Sequence, residues 1–414
     1  MFERLYTHRA SLALHRTGPL AEERIAYLCH LESQGFSTSS LQVIAAYLLV
    51  IACRLNLADR PGEFIANEEI DRQAALWATK GAGNRKPGRC SHQVFRSHAR
   101  RWLQFLGRLA LPPEAPKPFA QQIGEFADYL RVEKGLSSVT VYCRSLILHR
   151  FLAQLTAAEC SLVNITIGQI DETLLGMVQA GHCLRSSVQN YASCLRAFFR
   201  YAEARDWCRK GLADAIQAPR VYSQTTLPAG PSWDAVQQLI TNTAGDRPAD
   251  VRDRAIIMLL AIYGLRAGDV RRLRLDDIDW DHETFRVRSP KNGQDRSLPL
   301  SPPVGAAILR YLQVGRPRSH YRELFLTLQA PIRPLRCINY VVAHRLRGLG
   351  LPLLHPGPHA LRHACATHLL AEGLSLKEIG DYLGHQSPDA TRIYAKVDLA
   401  GLRRVADFDL GGLL

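Results

Sequence analysis

Two proline-rich stretches constrain this chain of 414 residues more than any other feature. Residues 111–118 (LPPEAPKP) and 219–231 (PRVYSQTTLPAGP) concentrate a residue that fixes φ and has no backbone N–H, so neither can continue a helix or a central strand. They divide the chain into pieces 1–112, 118–218 and 232–414, each of domain size. Hydrophobic residues make up 47% of the chain and charged residues 22%, which is enough apolar material for folded cores and excludes a disordered polar tail.

The first two pieces share a pattern. YLCHLESQGFSTSSLQVIAAYLLVIACRL can be laid over YLRVEKGLSSVTVYCRSLILHRFLAQL with Gly35 opposite Gly135. Ser37 to Ser40 and Ser137 to Thr140 supply helix N-caps after each glycine turn. Each piece then ends in a basic stretch with aromatics at helical spacing, around Trp102 and around Phe198, and for the second a place in the helix core outweighs a base-stacking role. Both read as helical bundles, and together as a repeated helical module. The third piece is mixed. Ser232 caps a helix through Val236 and Leu239, Val251 to Tyr263 is an apolar helix, and Asn292-Gly293 in FRVRSPKNGQDRSLPL marks a hairpin. The remainder is largely helical, so the expected class is mainly α with a small antiparallel β-sheet in the last domain.

Lys and Arg number 52 against 38 for Asp and Glu, a formal net charge of +14 that attracts a polyanion, nucleic acid being the commonest. Ten cysteines contain no C-x-x-C pair, and MFERLYTHRA lacks the apolar core of a secretory signal. The thiols are therefore expected to be reduced and mostly buried, in a cytoplasmic protein associated with the nucleoid when on DNA. The most apolar run, 41–57, contains Gln42, Arg54 and Asn56 and falls short of a membrane span.

Three strings in the third piece carry chemistry: AIYGLRAGDVRRLRLDDID with Arg266, HALRHACATHLL with His359 and Arg362, and LGHQSPDATRIYAKV with His385 and Tyr394. Lys291 adjoins the Asn-Gly turn. In order, flanking residues and spacing these resemble the tyrosine recombinase and phage integrase family, whose catalytic domain carries Arg, Lys, His-x-x-Arg, His and Tyr in that sequence. The motifs cover 266–396, and the architecture of 118–414 is similar: a helical core-binding, SAM-like domain, a linker at 219–231, and a catalytic domain from 232.

The resemblance implies a reaction in which Tyr394 attacks a DNA phosphodiester and leaves a 3′-phosphotyrosine. Negative charge builds on the non-bridging oxygens, and the guanidinium forks of Arg266 and Arg362 suit both. A phenol with a pKa near ~10 is a weak nucleophile without a base in reach, a role the family gives to His359. His385 donates to a phosphate oxygen, Lys291 protonates the leaving 5′ oxygen, and Asp269 orients Arg266 or a neighbour. Neither metal nor nucleotide enters: there is no G-x-x-x-x-G-K-[ST] loop, and the arginines and lysine supply the positive charge. His359 and His363 stand four apart, as zinc ligands on a helix do, yet Ala360 occupies the position of the glutamate such motifs need. His363 is expected in the core or behind the site, and His368 packed on its helix. Arg271, Arg272 and Arg274, taken to continue the helix after Arg266, either contact phosphate or are merely solvated.

The partner so implied is duplex DNA, held by four protomers on two duplexes or in assembly with related recombinases, in integration, excision or transposition of a mobile element. The tail after Tyr394, with Leu402, Val405 and Phe408 at helical spacing, either folds back or docks on a neighbouring protomer. Asp269 stands where the family often has Glu, and Ala395-Lys396 where it often has Ala-His. Residues 1–112 exceed the two-domain plan; as a duplicated DNA-binding module they would bind a second DNA sequence or lengthen the clamp on the duplex, and otherwise contact a partner protein. Two other readings stay in view: a DNA-binding regulator of the same fold that has lost the reaction, and a type IB topoisomerase-like relaxase.

Overall fold

The computed structural model describes residues 1–80, 89–110, 118–155, 161–179, 185–218, 230–288, 295–351, 353, 355–385 and 387–397. The chain divides into two compact units, one made of Met1–Ala110 with Thr226–Leu414 and the other of Leu111–Thr225. Helices dominate both, with one small sheet, as the apolar periodicities require. No helix among the described residues is long and apolar enough to cross a membrane.

In the first unit, Ala21–Ser33 (α1), Thr38–Arg54 (α2), Asn67–Lys80 (α3) and Arg89–Phe105 (α4) surround a core that includes Leu28, Leu48, Phe95 and Trp102. The hairpin between α1 and α2 turns at Gly35, and Ser37 Oγ accepts from the Ser40 N–H at 3.3 Å. In the second unit, Ala120–Val132 (α5), Ser138–Leu155 (α6), Ile167–Gln179 (α7) and Arg185–Glu203 (α8) enclose Phe126, Phe151, Phe198 and Phe199. Its first hairpin closes the same way: Gly135 turns, and Ser137 Oγ accepts from the Thr140 N–H at 3.3 Å. Phe126 meets Phe198 edge to face at 5.4 Å, so the aromatic stretch of α8 is core, as is Trp102 in α4.

The rest of the first unit carries the mixed elements. Trp233–Asn242 (α9) is capped by Ser232 Oγ, which accepts from the Ala235 N–H at 3.3 Å. Pro248–Ile262 (α10) is apolar nearly all round and buried accordingly, with Ile256, Ile257, Leu259 and Leu260 fully covered. Its two inward carboxylates, Asp250 and Asp253, both meet Arg345 at 2.8 Å. After Ala267–Arg272 (α11) come the strands Ile278–Asp279 (β1), Thr284–Val287 (β2) and Arg296–Pro299 (β3), antiparallel in that order, with Ile278 opposite Phe285 and Val287 opposite Arg296. The flanks of the expected hairpin are therefore paired strands; Asn292, Gly293 and Lys291 lie outside the described residues. Pro302–Arg310 (α12), Asn339–Arg347 (α13), Pro358–Ala371 (α14), Leu376–Leu383 (α15) and Asp389–Arg392 (α16) follow, then a short 3-10 turn at Ile393–Val397.

Two expectations need correction. Cys29, Cys53, Cys143 and Cys337 are exposed, whereas Cys194, Cys208 and Cys365 are buried, so the described thiols are not mostly interior. Nor do Arg266 and Arg274 share one helix with Arg271 and Arg272. Arg266 is the N-cap of α11 in extended backbone, and the chain leaves the helix at Leu273 to run beside 322–324, where the Leu275 N–H donates to Arg322 O and the Leu324 N–H to Leu273 O, each at 2.8 Å. The tail with Leu402, Val405 and Phe408 lies outside the described residues.

Because Ile257 is wholly buried in α10, Ile257→Ala is expected to destabilise this unit by about 2–5 kcal/mol. Hydrogen exchange of α10 amides under mild denaturant should quicken to match; unchanged exchange would mean that the helix is not central to this core.

Candidate active site

The C-terminal end of α15 organises the site. Its start is fixed by a capping box in which Ser375 Oγ accepts from the Glu378 N–H and Glu378 Oε2 accepts from the Ser375 N–H. Its end is Gly384 at φ 69°, the left-handed residue that lets the Gly384 and His385 N–H groups close on Asp381 O and Gly380 O. A side chain there would be doubly excluded, because a Cβ would lie 2.5 Å from the Arg296 guanidinium. The Leu-Gly-His string is thus a helix stop that presents His385.

The carbonyls at such an end lack helical partners and carry partial negative charge. Two arginines from distant parts of the chain use them. Arg266 Nη2 donates to Gly384 O at 3.0 Å, and Arg362 Nη2 donates to Leu383 O at 3.0 Å. Arg362, only 5% exposed on α14, also donates through Nη1 to Gly264 O, which ties it to the loop that carries Arg266. Arg296 of β3 donates to Tyr382 O at 2.9 Å. Among the described residues no carboxylate forms an ion pair with any of these three. Burial and the charge of Arg266 bring the Arg362 pKa down to about 10, and burial also lowers that of Arg296. The site is a concentration of cationic charge short of counter-charge.

Asp269 is the nearby carboxylate. It is 4% exposed, Oδ1 accepts from Arg272 at 2.8 Å, and Oδ2 is buried with no hydrogen-bond partner among the described residues. Its bonded neighbour is therefore Arg272 rather than Arg266, though its charge supports Arg362 and Arg296.

Three histidines complete the cluster. His385 Nδ1 pairs with Thr391 Oγ1 at 2.7 Å, linking the end of α15 to α16. His359, one turn before Arg362 on α14, is the most exposed of the three, its ring partly covered. His363 Nδ1 lies 2.9 Å from the Tyr394 hydroxyl, so the imidazole touching the phenol is His363 and not His359. Tyr394 is 2% exposed, packed with Cys365, Ala366, Ile379 and Leu383, and burial pushes its pKa up to about 12 against the attraction of Arg362. Arg266, Arg362, His359, His385 and Tyr394 are thus gathered with Asp269 into one region; Lys291 lies outside the described residues.

Sequence reading missed Thr391 and Arg296 and gave His363 no contact with the phenol. Arg296 did leave a signal, being a charge on the same strand face as Leu298. Thr391 left none. His368 stacks on Trp233 with ring centroids 3.9 Å apart, the packed role expected for it.

Burial first, and the arginines second, lower the pKa of His359, and bring that of His385 to about 4; burial and His359 lower that of His363. Unfolded histidines titrate near ~6.5, so acid favours the unfolded chain. The stability these neutral rings confer is complete above about pH 7 and is lost as pH falls through 6.5 toward 4. A two-dimensional NMR titration should find His385 neutral at pH values where free imidazole is half charged; an ordinary titration would remove the cationic setting drawn here.

Residues 233–400 match the phage integrase family, and 123–206 match the phage integrase N-terminal SAM-like domain. A putative integrase/recombinase of Sinorhizobium fredii is 45% identical over 181 residues, 43% of this chain and 94% of that protein. Tyrosine recombinase XerC of Alcanivorax borkumensis is 32% identical over 296 residues, 69% of this chain and 92% of that protein. In fold, the chain is similar to the Tn1549 transposon integrase in complex with circular intermediate DNA, with TM-score 0.53 and 19% identity over 69% of this chain and 99% of that one. The chain belongs to the phage integrase family, the tyrosine recombinases, which cleave and rejoin DNA in site-specific recombination.

Proposed function

We propose that this protein recombines duplex DNA through a covalent 3′-phosphotyrosyl bond to Tyr394. The reading is carried by one observation: Arg266 and Arg362 are tied to adjacent carbonyls at the end of the helix whose glycine cap presents His385, and neither is ion-paired to a carboxylate among the described residues. A phosphodiester supplies the missing negative charge. As Tyr394 attacks, charge grows on the non-bridging oxygens, and fixed guanidinium donors stabilise it most at that moment. His385 donates a further hydrogen bond. The imidazoles of His359 and His363 are neutral at physiological pH and so able to accept the phenolic proton; His363 is in contact with it in the DNA-free chain and His359 stands on the exposed face of α14. Lys291 protonates the departing 5′ oxygen. The arginines do the work of charge neutralisation, so neither a metal ion nor a nucleotide takes part.

Tyr394 starts turned inward, with its hydroxyl held by His363. The segment 389–397 therefore has to rotate before the phenol can reach phosphorus, and DNA supplies the reason, since it brings charge that competes for the site. The partner is duplex DNA, worked on by four protomers, or by this chain with related recombinases, in integration, excision or transposition of a mobile element. The fold shared with the Tn1549 integrase, solved on circular intermediate DNA, supports that setting. The helical modules at 1–112 and 118–218 and the catalytic domain from 232 together grip the duplex.

Tyr394→Phe keeps the ring packing and removes the nucleophile. On a nicked suicide duplex carrying the end of the element, the wild-type chain is expected to form a denaturant-resistant adduct, and the variant to bind equally while forming none. An adduct surviving in the variant would move the nucleophile elsewhere, and a wild-type chain that binds the duplex with no adduct would favour a regulator.

A further inference from the structure

Outside the catalytic cluster, five arginines from three backbone segments line one pocket of about 360 Å³: Arg271, Arg272, Arg274, Arg288 and Arg336. The segment 273–275 is pinned to 322–324 by the two backbone bonds already described, and an isolated bridge pairs Arg274 with Glu323. The next turn of that layer is set by the Leu335 N–H donating to Phe325 O at 2.9 Å, while the Arg271 guanidinium donates to Arg336 O at 3.3 Å. Residues more than sixty positions apart thus share one wall.

Charge in the pocket is only partly answered. Asp269 pairs with Arg272 and Asp277 with Arg288. Arg271, Arg274 and Arg336 form no ion pair among the described residues, and Glu323 is the lone carboxylate lining the pocket. Arg272 and Arg274 each keep a buried Nε–H with no acceptor among the described residues. The remaining walls, Pro334 and Leu335, offer no aromatic ring to stack on. Five guanidinium groups facing a single carboxylate suit a small, doubly accepting anion.

We propose that this pocket holds a backbone phosphate of the bound duplex other than the one that is cut. The proposal rests on the reading of the chain as a duplex-DNA recombinase. Through Arg272 the pocket also touches Asp269, whose charge supports Arg362 and Arg296. A phosphate that draws on Arg272 is therefore felt in the catalytic cluster, so anchoring and chemistry share one carboxylate.

The test uses the full chain and a duplex of arbitrary sequence, since phosphate contacts do not depend on bases. Arg271→Gln with Arg336→Gln removes two exposed charges and leaves the buried Asp269 and Asp277 with their partners. Binding should weaken by about tenfold, and the slope of log affinity against log salt should fall by about 1.8, near 0.9 for each lost contact. Glu323→Gln should act in the opposite sense and tighten binding. Single methylphosphonates along each strand should reveal a sensitive position in the wild-type chain, away from the cleavage site, that is no longer sensitive in the double variant. An unchanged slope in both variants, in a chain that still forms the Tyr394 adduct, overturns the pocket. Loss of the slope without any wild-type adduct supports the pocket and overturns the recombination reading instead.

Discussion

Everything in the site leans on the carbonyl end of a single helix. Leu383 and Gly384 offer acceptors that the helix itself cannot use, and Arg362 and Arg266 take them. Neither arginine could be held so close to the other by carboxylates without losing the net charge that a phosphate answers. Neutral carbonyls fix the guanidinium groups in place and leave their charge available, which is preorganisation of the kind electrostatic catalysis requires. The left-handed Gly384 is what makes the arrangement compact: it ends α15, exposes the carbonyls and turns the chain into His385 in one step.

The same crowding of cations sets the protonation of what surrounds it. His385, flanked by Arg362 and Arg266, stays neutral far into acid, and the buried phenol of Tyr394 keeps its proton well into alkali. The Tyr394 phenol is thus protonated, turned inward and bonded to His363. Adding a phosphate changes all these balances in one direction, because negative charge stabilises imidazolium and relieves the arginines. Asp269 is the hinge of the charge pattern, bonded to Arg272 on one oxygen and unpartnered on the other among the described residues.

Residues 1–110 are not an isolated appendage. The Ile332 N–H donates to Gln34 O at 3.0 Å, and the Ile332 side chain lies so close to Gly35 that a Cβ there would approach it to 2.8 Å. Gly35 consequently serves twice, as the positive-φ turn between α1 and α2 and as the seat for a side chain of the mixed part of the same unit. Nothing in the local pattern of either segment announces that contact.

Local chemistry in the chain determined a good deal: helix starts at Ser37, Ser137 and Ser232, strands flanking Asn292-Gly293, and a buried α10. These follow from interactions within a few residues or from spacing along one element, and such signals survive in a linear string. The motif order shared with the tyrosine recombinases added Arg266, His359, Arg362, His385 and Tyr394 as candidate reactive groups. Tertiary structure alone decided that His363 meets the phenol, that Thr391 holds His385, that Arg296 joins the cationic cluster, and that Arg274 leaves the helix of Arg272 to face Arg336 across a pocket. Each of those depends on which polar group is left without a partner once distant segments pack together. Hydrogen-bond demand of that sort is a property of the closed fold, and no stretch of sequence carries it.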